Sequence, residues 1–141
     1  MPKPNKEALL AEFKDRLATA QTHRVADRME LARAEYVQAL AFAEEHFGPD
    51  STQVDEVCLE LAMFYSTMKE PEAELAVLER RVRIRKAKAG IPQIVEALQD
   101  VAECHKLQDR PDEAESTYRE AMDLCDESIE AHHPALRMTL L

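Results

Sequence analysis

The chain has 141 residues, 45% of them apolar, with two glycines and no tryptophan, enough for one compact domain with a core and too little for two. Its formal charge of −10 excludes a surface built to neutralise phosphates, so nucleic acid is not an expected partner. No stretch approaches the roughly 18 continuous apolar residues of a membrane span, and a composition rich in Ala, Glu, Leu and Arg predicts an all-α protein.

In chain order, Met1 to Lys6 reads as a disordered tail, and the start shows no export signal. Apolar residues then recur at steps of three and four, which places them on one helical face. The run Leu9-Leu10-Phe13-Leu17-Ala20 predicts a first helix, and Val25-Met29-Ala32-Tyr36-Ala39-Leu40-Ala43-Phe47 a second. Val54-Val57-Cys58-Leu61-Tyr65-Met68 and Leu75-Leu78-Val82 predict the next two. Ile94-Leu98-Val101-His105 and Ala114-Tyr118-Ala121-Met122-Cys125-Ile129 complete the series. The expected organisation is one helical-repeat domain over 7–141, with hairpins at about 7–47, 51–88 and 92–130 and a partial helix at 133–141.

The helix breakers fall in register. Gly48 and Gly90 lie 42 apart, Pro49, Pro92 and Pro134 follow at steps of 43 and 42, and Pro71 and Pro111 sit 40 apart between them. Three residue sets share one pair of offsets, 42 and 40: Ala20, Ala62 and Ala102; His23, Tyr65 and His105; Tyr36, Leu78 and Tyr118. A helix with one apolar stripe cannot bury it alone, so repeated hairpins must stack to form a core.

The run Ala32-Arg33-Ala34-Glu35-Tyr36-Val37-Gln38-Ala39-Leu40, followed by Phe47-Gly48-Pro49-Asp50, resembles the tetratricopeptide repeat in its longer form of about 42 residues. This form is found in kinesin light chains and many bacterial proteins, and it points to a bacterial source. Asp109-Arg110-Pro111-Asp112-Glu113-Ala114-Glu115, leading to Tyr118 and Ala121, is a second match. The resemblance implies a right-handed superhelix of antiparallel helix hairpins, about three plus a partial last helix. It also implies a non-enzymatic scaffold or adaptor that holds a partner protein or peptide in its concave groove. Where the pattern expects small residues, the middle repeat has Glu74 and Arg81. Two readings stand: a local ion pair, or Ala73 in the small position with the turn adjusted by one residue.

In such arrays the first helix of each hairpin lines the groove. The implied surface comprises Lys14, Leu17, Ala18, Gln21 and Arg24 in the first hairpin, and Glu56, Leu59, Glu60, Met63, Ser66 and Thr67 in the second. The third hairpin offers Glu96, Gln99, Asp100, Glu103, Lys106 and Leu107. Carboxylates mixed with Leu59, Met63 and Leu107 suit a basic or amphipathic ligand, and a plainly solvated helix face is the competing reading. The basic run Arg80, Arg81, Arg83, Arg85, Lys86 and Lys88 reads as a solvated convex face, with contact to an acidic partner as the alternative. His132-His133-Pro134-Ala135-Leu136 resembles the start of a fourth repeat, so the array is expected to be truncated or completed by a neighbour. Leu136, Leu140 and Leu141 would then serve self-association into a homo-oligomer.

Chemistry is not expected. His132 and His133 are adjacent, as are Cys104 and His105, so neither pair has metal-ligand spacing, and no glycine-rich phosphate loop exists. The expectation is no metal, no cofactor and no catalytic residue. Cys58, Cys104 and Cys125, odd in number and on helical apolar stripes, read as inert reduced thiols in a cytoplasmic protein.

Overall fold

A computed structural model describes residues 5–132. Among the described residues there are six helices and no strand: α1 (Lys6–Val25), α2 (Met29–Phe47), α3 (Thr52–Thr67), α4 (Pro71–Lys88), α5 (Ile91–Leu107) and α6 (Pro111–His132). The expected partial helix at 133–141 lies outside the described residues. The chain forms two compact units, one ending at Lys69 and the other beginning at Glu70.

Helix ends follow local chemistry. Asn5 and Ser51 cap α1 and α3 through side-chain oxygens that accept from the amides of Ala8 (2.7 Å) and Val54 (3.2 Å). Pro71 and Pro111 open α4 and α6, where the missing N–H costs nothing. The repeat is written into the backbone as well. Asp27, Lys69 and Asp109 have φ of 63°, 58° and 58°, a left-handed conformation uncommon for residues with a Cβ. They recur at the same steps of 42 and 40. In the first and third turns the amides of Asp27 and Asp109 reach the carbonyls of Arg24 and Lys106, and those of Arg28 and Arg110 reach His23 and His105. This double closure ends a helix and reverses the chain.

The two glycines, in register in the sequence, do different work. Gly48 ends α2 at φ 100°, which a side chain would strain, whereas Gly90 precedes α5 at φ −80°.

In the first unit α1 packs on α2 and α2 on α3. Ala20, Ala32, Ala39 and Ala43 are fully buried, so α1 and α2 approach closely and any added methylene must displace a neighbour. Phe13, Tyr36, Phe64 and Leu61 fill the remaining volume, with the Tyr36 and Phe64 rings 5.8 Å apart. The Arg16 guanidinium covers Phe42 at 4.8 Å.

In the second unit α5 packs on both α4 and α6. Ile94, Ala97, Leu98, Val101 and Ala102 form its centre with Leu78, Val82 and Ile84 from α4 and Ala114 and Ala121 from α6. Arg81 stands at the repeat position of Ala39 and Ala121, is 1% exposed, and its Nη1 donates to Asp100 Oδ2 of α5 at 3.0 Å. Neither reading of the Glu74–Arg81 departure contained this interhelical partner. The turn is not shifted by a residue, because Lys69 and Pro71 keep the positions of Asp109 and Pro111. Glu74 takes the place of Ala32 and Ala114; it is half-buried, and desolvation pushes its carboxyl above the usual range.

Candidate protein-interaction surfaces

On the first unit, Lys14 and Ala18 of α1 and Glu56, Leu59, Met63, Ser66 and Thr67 of α3 are exposed, while Gln21 and Arg24 are half-buried. Leu59 and Met63 are apolar and one turn apart, with Glu56 beside them. Burial, then the nearby Glu60 charge, raise the pKa of Glu56, and Lys14 acts against them.

Two residues expected in this outward set are corrected. Leu17 is core, 4% exposed, because it continues the Phe13–Ala20 stripe toward α2. Glu60 is 7% exposed because its carboxylate is held from two helices. Gln21 Nε2 of α1 donates to Oε2 at 2.6 Å, and Tyr36 Oη of α2 donates to Oε1 at 3.2 Å. Burial, followed by the Glu60 charge, pushes the Tyr36 hydroxyl up to about 12. Glu60 is thus an anchor that seats α3 on the first hairpin.

On the second unit, Glu96, Gln99, Glu103, Lys106 and Leu107 of α5 are exposed, Leu107 at 74%. Asp100 is half-buried and committed to Arg81. The basic run on α4 is not simply a solvated face. Arg81 is core, Arg85 Nη1 donates to the Gln93 carbonyl at 2.8 Å and lies 3.8 Å from Glu96, and Lys86 Nζ meets Glu120 at 2.6 Å. These contacts tie α4 to α5 and α6 alongside its buried Leu78, Val82 and Ile84.

One feature of this unit escaped the sequence reading. Between α5 and α6 lies a furrow of about 330 Å³, lined by Val95, Gln99, Tyr118, Ala121, Met122, Cys125 and Asp126. Met122 is 65% exposed, and Ile129 and Tyr118 are also exposed. Cys125, expected on a core stripe, is exposed as well, whereas Cys58 and Cys104 are buried. Periodicity placed all these residues on one helical face but held no information on whether anything covers it. Tyr118 Oη donates to Glu103 Oε2 at 3.3 Å. A smaller recess of about 270 Å³ is lined by Glu79, Val82, Arg83, Leu98, Val101, His105, Thr117 and Glu120.

Leu136, Leu140 and Leu141, the expected self-association residues, lie outside the described residues. Among the described residues no helix is long and apolar enough to cross a membrane.

No protein-family model matches the sequence, and no curated protein matches it. Among solved structures, the chain is similar to BtubC (BKLC) from P. vanneervenii, a kinesin light chain-like tetratricopeptide repeat protein, with a TM-score of 0.71 at 17% identity. The match covers 82% of this chain and 47% of BtubC, so the chain spans about half the length of that protein. With the recurring left-handed turns and the buried alanine positions, this likeness establishes an all-α, tetratricopeptide-like helical-repeat fold.

Proposed function

We propose that the protein is a non-enzymatic scaffold or adaptor of the cytoplasm that binds a segment of another protein on the outward faces of its first-in-hairpin helices. The observation that carries this reading is the exposure of Leu59 and Met63 beside the Glu56 carboxylate on α3, and of Leu107 one turn from the Glu103 carboxylate on α5. Large apolar groups in water add affinity only when a partner covers them, and acidic neighbours select a basic or amphipathic one. In the second unit Gln99 is exposed on the same helix as Glu96 and Glu103, and Asp100 is held there by Arg81; in the first unit Glu60 is held by Tyr36 and Gln21.

The test is affinity capture with the intact chain, compared with a variant carrying Glu56→Lys and Met63→Glu and a second carrying Leu107→Asp. These positions are exposed, so the variants should fold. Loss of a bound protein in either variant supports the reading, and an unchanged bound set in both sinks it. A self-associating module is the second reading, favoured by the exposed Met122 and Ile129. Sedimentation of the intact chain at tens of micromolar distinguishes it, since a strict monomer rejects it.

A further inference from the structure

The chain contains its own example of a helix docked on a hairpin face. In the first unit, α3 covers the face of α2 and is anchored by Glu60, which accepts from Gln21 and Tyr36. Three cations lie near it. Arg24 acts on Tyr36 beside Glu60, Lys14 acts on Glu56, and the Arg33 guanidinium lies over Phe64 at 5.4 Å. The covering helix itself has three carboxylates, Asp55, Glu56 and Glu60, and no Lys or Arg. An acidic helix therefore sits among cations.

Adding 82 to a residue number carries the first hairpin onto the third, as Ala20 to Ala102, Asp27 to Asp109 and Tyr36 to Tyr118 show. On this register Met122 and Ile129 stand for Leu40 and Phe47, apolar residues that are half-buried in the first hairpin. The rim turns acidic: Lys14 becomes Glu96, neutral Gln21 becomes Glu103 and Arg33 becomes Glu115, while Arg24 keeps its sign as Lys106. Over residues 91–132 there are twelve carboxylates and three Lys or Arg side chains. Tyr36 is fully buried beneath α3, whereas Tyr118 is 36% exposed, and its hydroxyl already has an acceptor in Glu103 of its own hairpin. A covering helix with a carboxylate at the place of Glu60 would meet Glu103 in like-charge contact, which is costly once water is excluded.

Resting on the scaffold reading, we propose that the open α5/α6 face is a docking site for a basic amphipathic helix of a partner protein. That helix seats as α3 does on the first hairpin, with Lys or Arg where α3 has Glu56 and Glu60. Its apolar residues cover Tyr118, Met122 and Ile129, and its cations meet Glu96 and Glu103.

Two synthetic peptides test this on the intact chain at low salt. One has the sequence of residues 51–68, and the other carries Asp55→Lys, Glu56→Lys and Glu60→Lys in that sequence. The basic peptide should bind about tenfold or more tightly than the acidic one, with affinity falling as salt is added. It should also slow reaction of Cys125 with a thiol reagent, since Cys125 lines the furrow. Met122→Glu should weaken it by about tenfold or more, and Glu96→Lys with Glu103→Lys should reverse the preference between the peptides, circular dichroism confirming the fold of each variant. Equal binding of the two peptides, or binding that Met122→Glu leaves intact, overturns the proposal. So does a dimer that Met122→Glu dissociates, since the occupant would be a second copy. Protection of Cys125 in the free monomer also overturns it, because the chain's own segment 133–141 would then fill the face. The variants at Glu56, Met63 and Leu107 lie outside the residues lining this furrow, so failure here and failure of the scaffold reading are separable.

Discussion

Glu60 of α3 and Asp100 of α5 stand 40 residues apart, at the same repeat position, and each carboxylate reaches a donor on the helix before its own. Glu60 takes the Tyr36 hydroxyl at 3.2 Å, and Asp100 takes the Arg81 guanidinium at 3.0 Å. One position thus serves as a polar anchor in both units, with a different donor in each.

Replacing Glu60 with Leu should cost about 1–3 kcal/mol, because the Tyr36 hydroxyl and the Gln21 amide lose the acceptor between them. Glu60→Gln should cost less, since an amide oxygen still accepts. Urea denaturation of the two variants measures the difference, and equal losses would show that the anchor adds nothing beyond packing volume.

Asp100→Ala should destabilise the chain by about 1–3 kcal/mol. It deprives a buried guanidinium of its carboxylate, and the solvent on the open side of Asp100 limits the loss. Combining Asp100→Ala with Arg81→Met should recover part of it, since the charge that needed the carboxylate is gone. A double-mutant cycle in chemical denaturation reads the coupling.

Tyr36 predicts the alkaline limit of stability. Its folded pKa, raised from 10.0 to about 12, means that the unfolded tyrosine ionises first. The stability it contributes is complete below pH 10 and is lost as pH rises from 10 toward 12. Tyr36→Phe should flatten the fall of stability across that window. Thermal melts at pH 9, 10, 11 and 12 would show it, and parallel profiles for wild type and variant would refute it.

The cysteines should separate by accessibility. Cys125 is exposed, while Cys58 and Cys104 are buried, and burial also raises the Cys104 thiol pKa. A thiol reagent should find one fast site in the native chain and all three in denaturant. Cys125→Ser should abolish the fast phase, and a fast phase that survives it would contradict the burial of the other two.

Most of the fold was legible from local pattern. The apolar steps of three and four, the prolines that open α4 and α6, and the paired offsets of 42 and 40 gave helix positions close to those observed. The candidate surface was only partly legible. Glu60 and Leu17 were read as outward, yet both are buried by residues from other helices, Tyr36 and Gln21 in the case of Glu60. Helical period gives the angle of a side chain about its axis but not which neighbour arrives at that angle.

By itself the sequence determined the helices, their turns and the repeat, because backbone preferences, capping and amphipathic period act within a few residues. Tertiary structure alone decided that Arg81 enters the core toward Asp100, that Glu60 becomes an anchor, and that Tyr36 is covered while its counterpart Tyr118 is open. These outcomes depend on groups 19 to 39 residues away along the chain, and burial is a property of the assembled neighbours, which no local pattern contains.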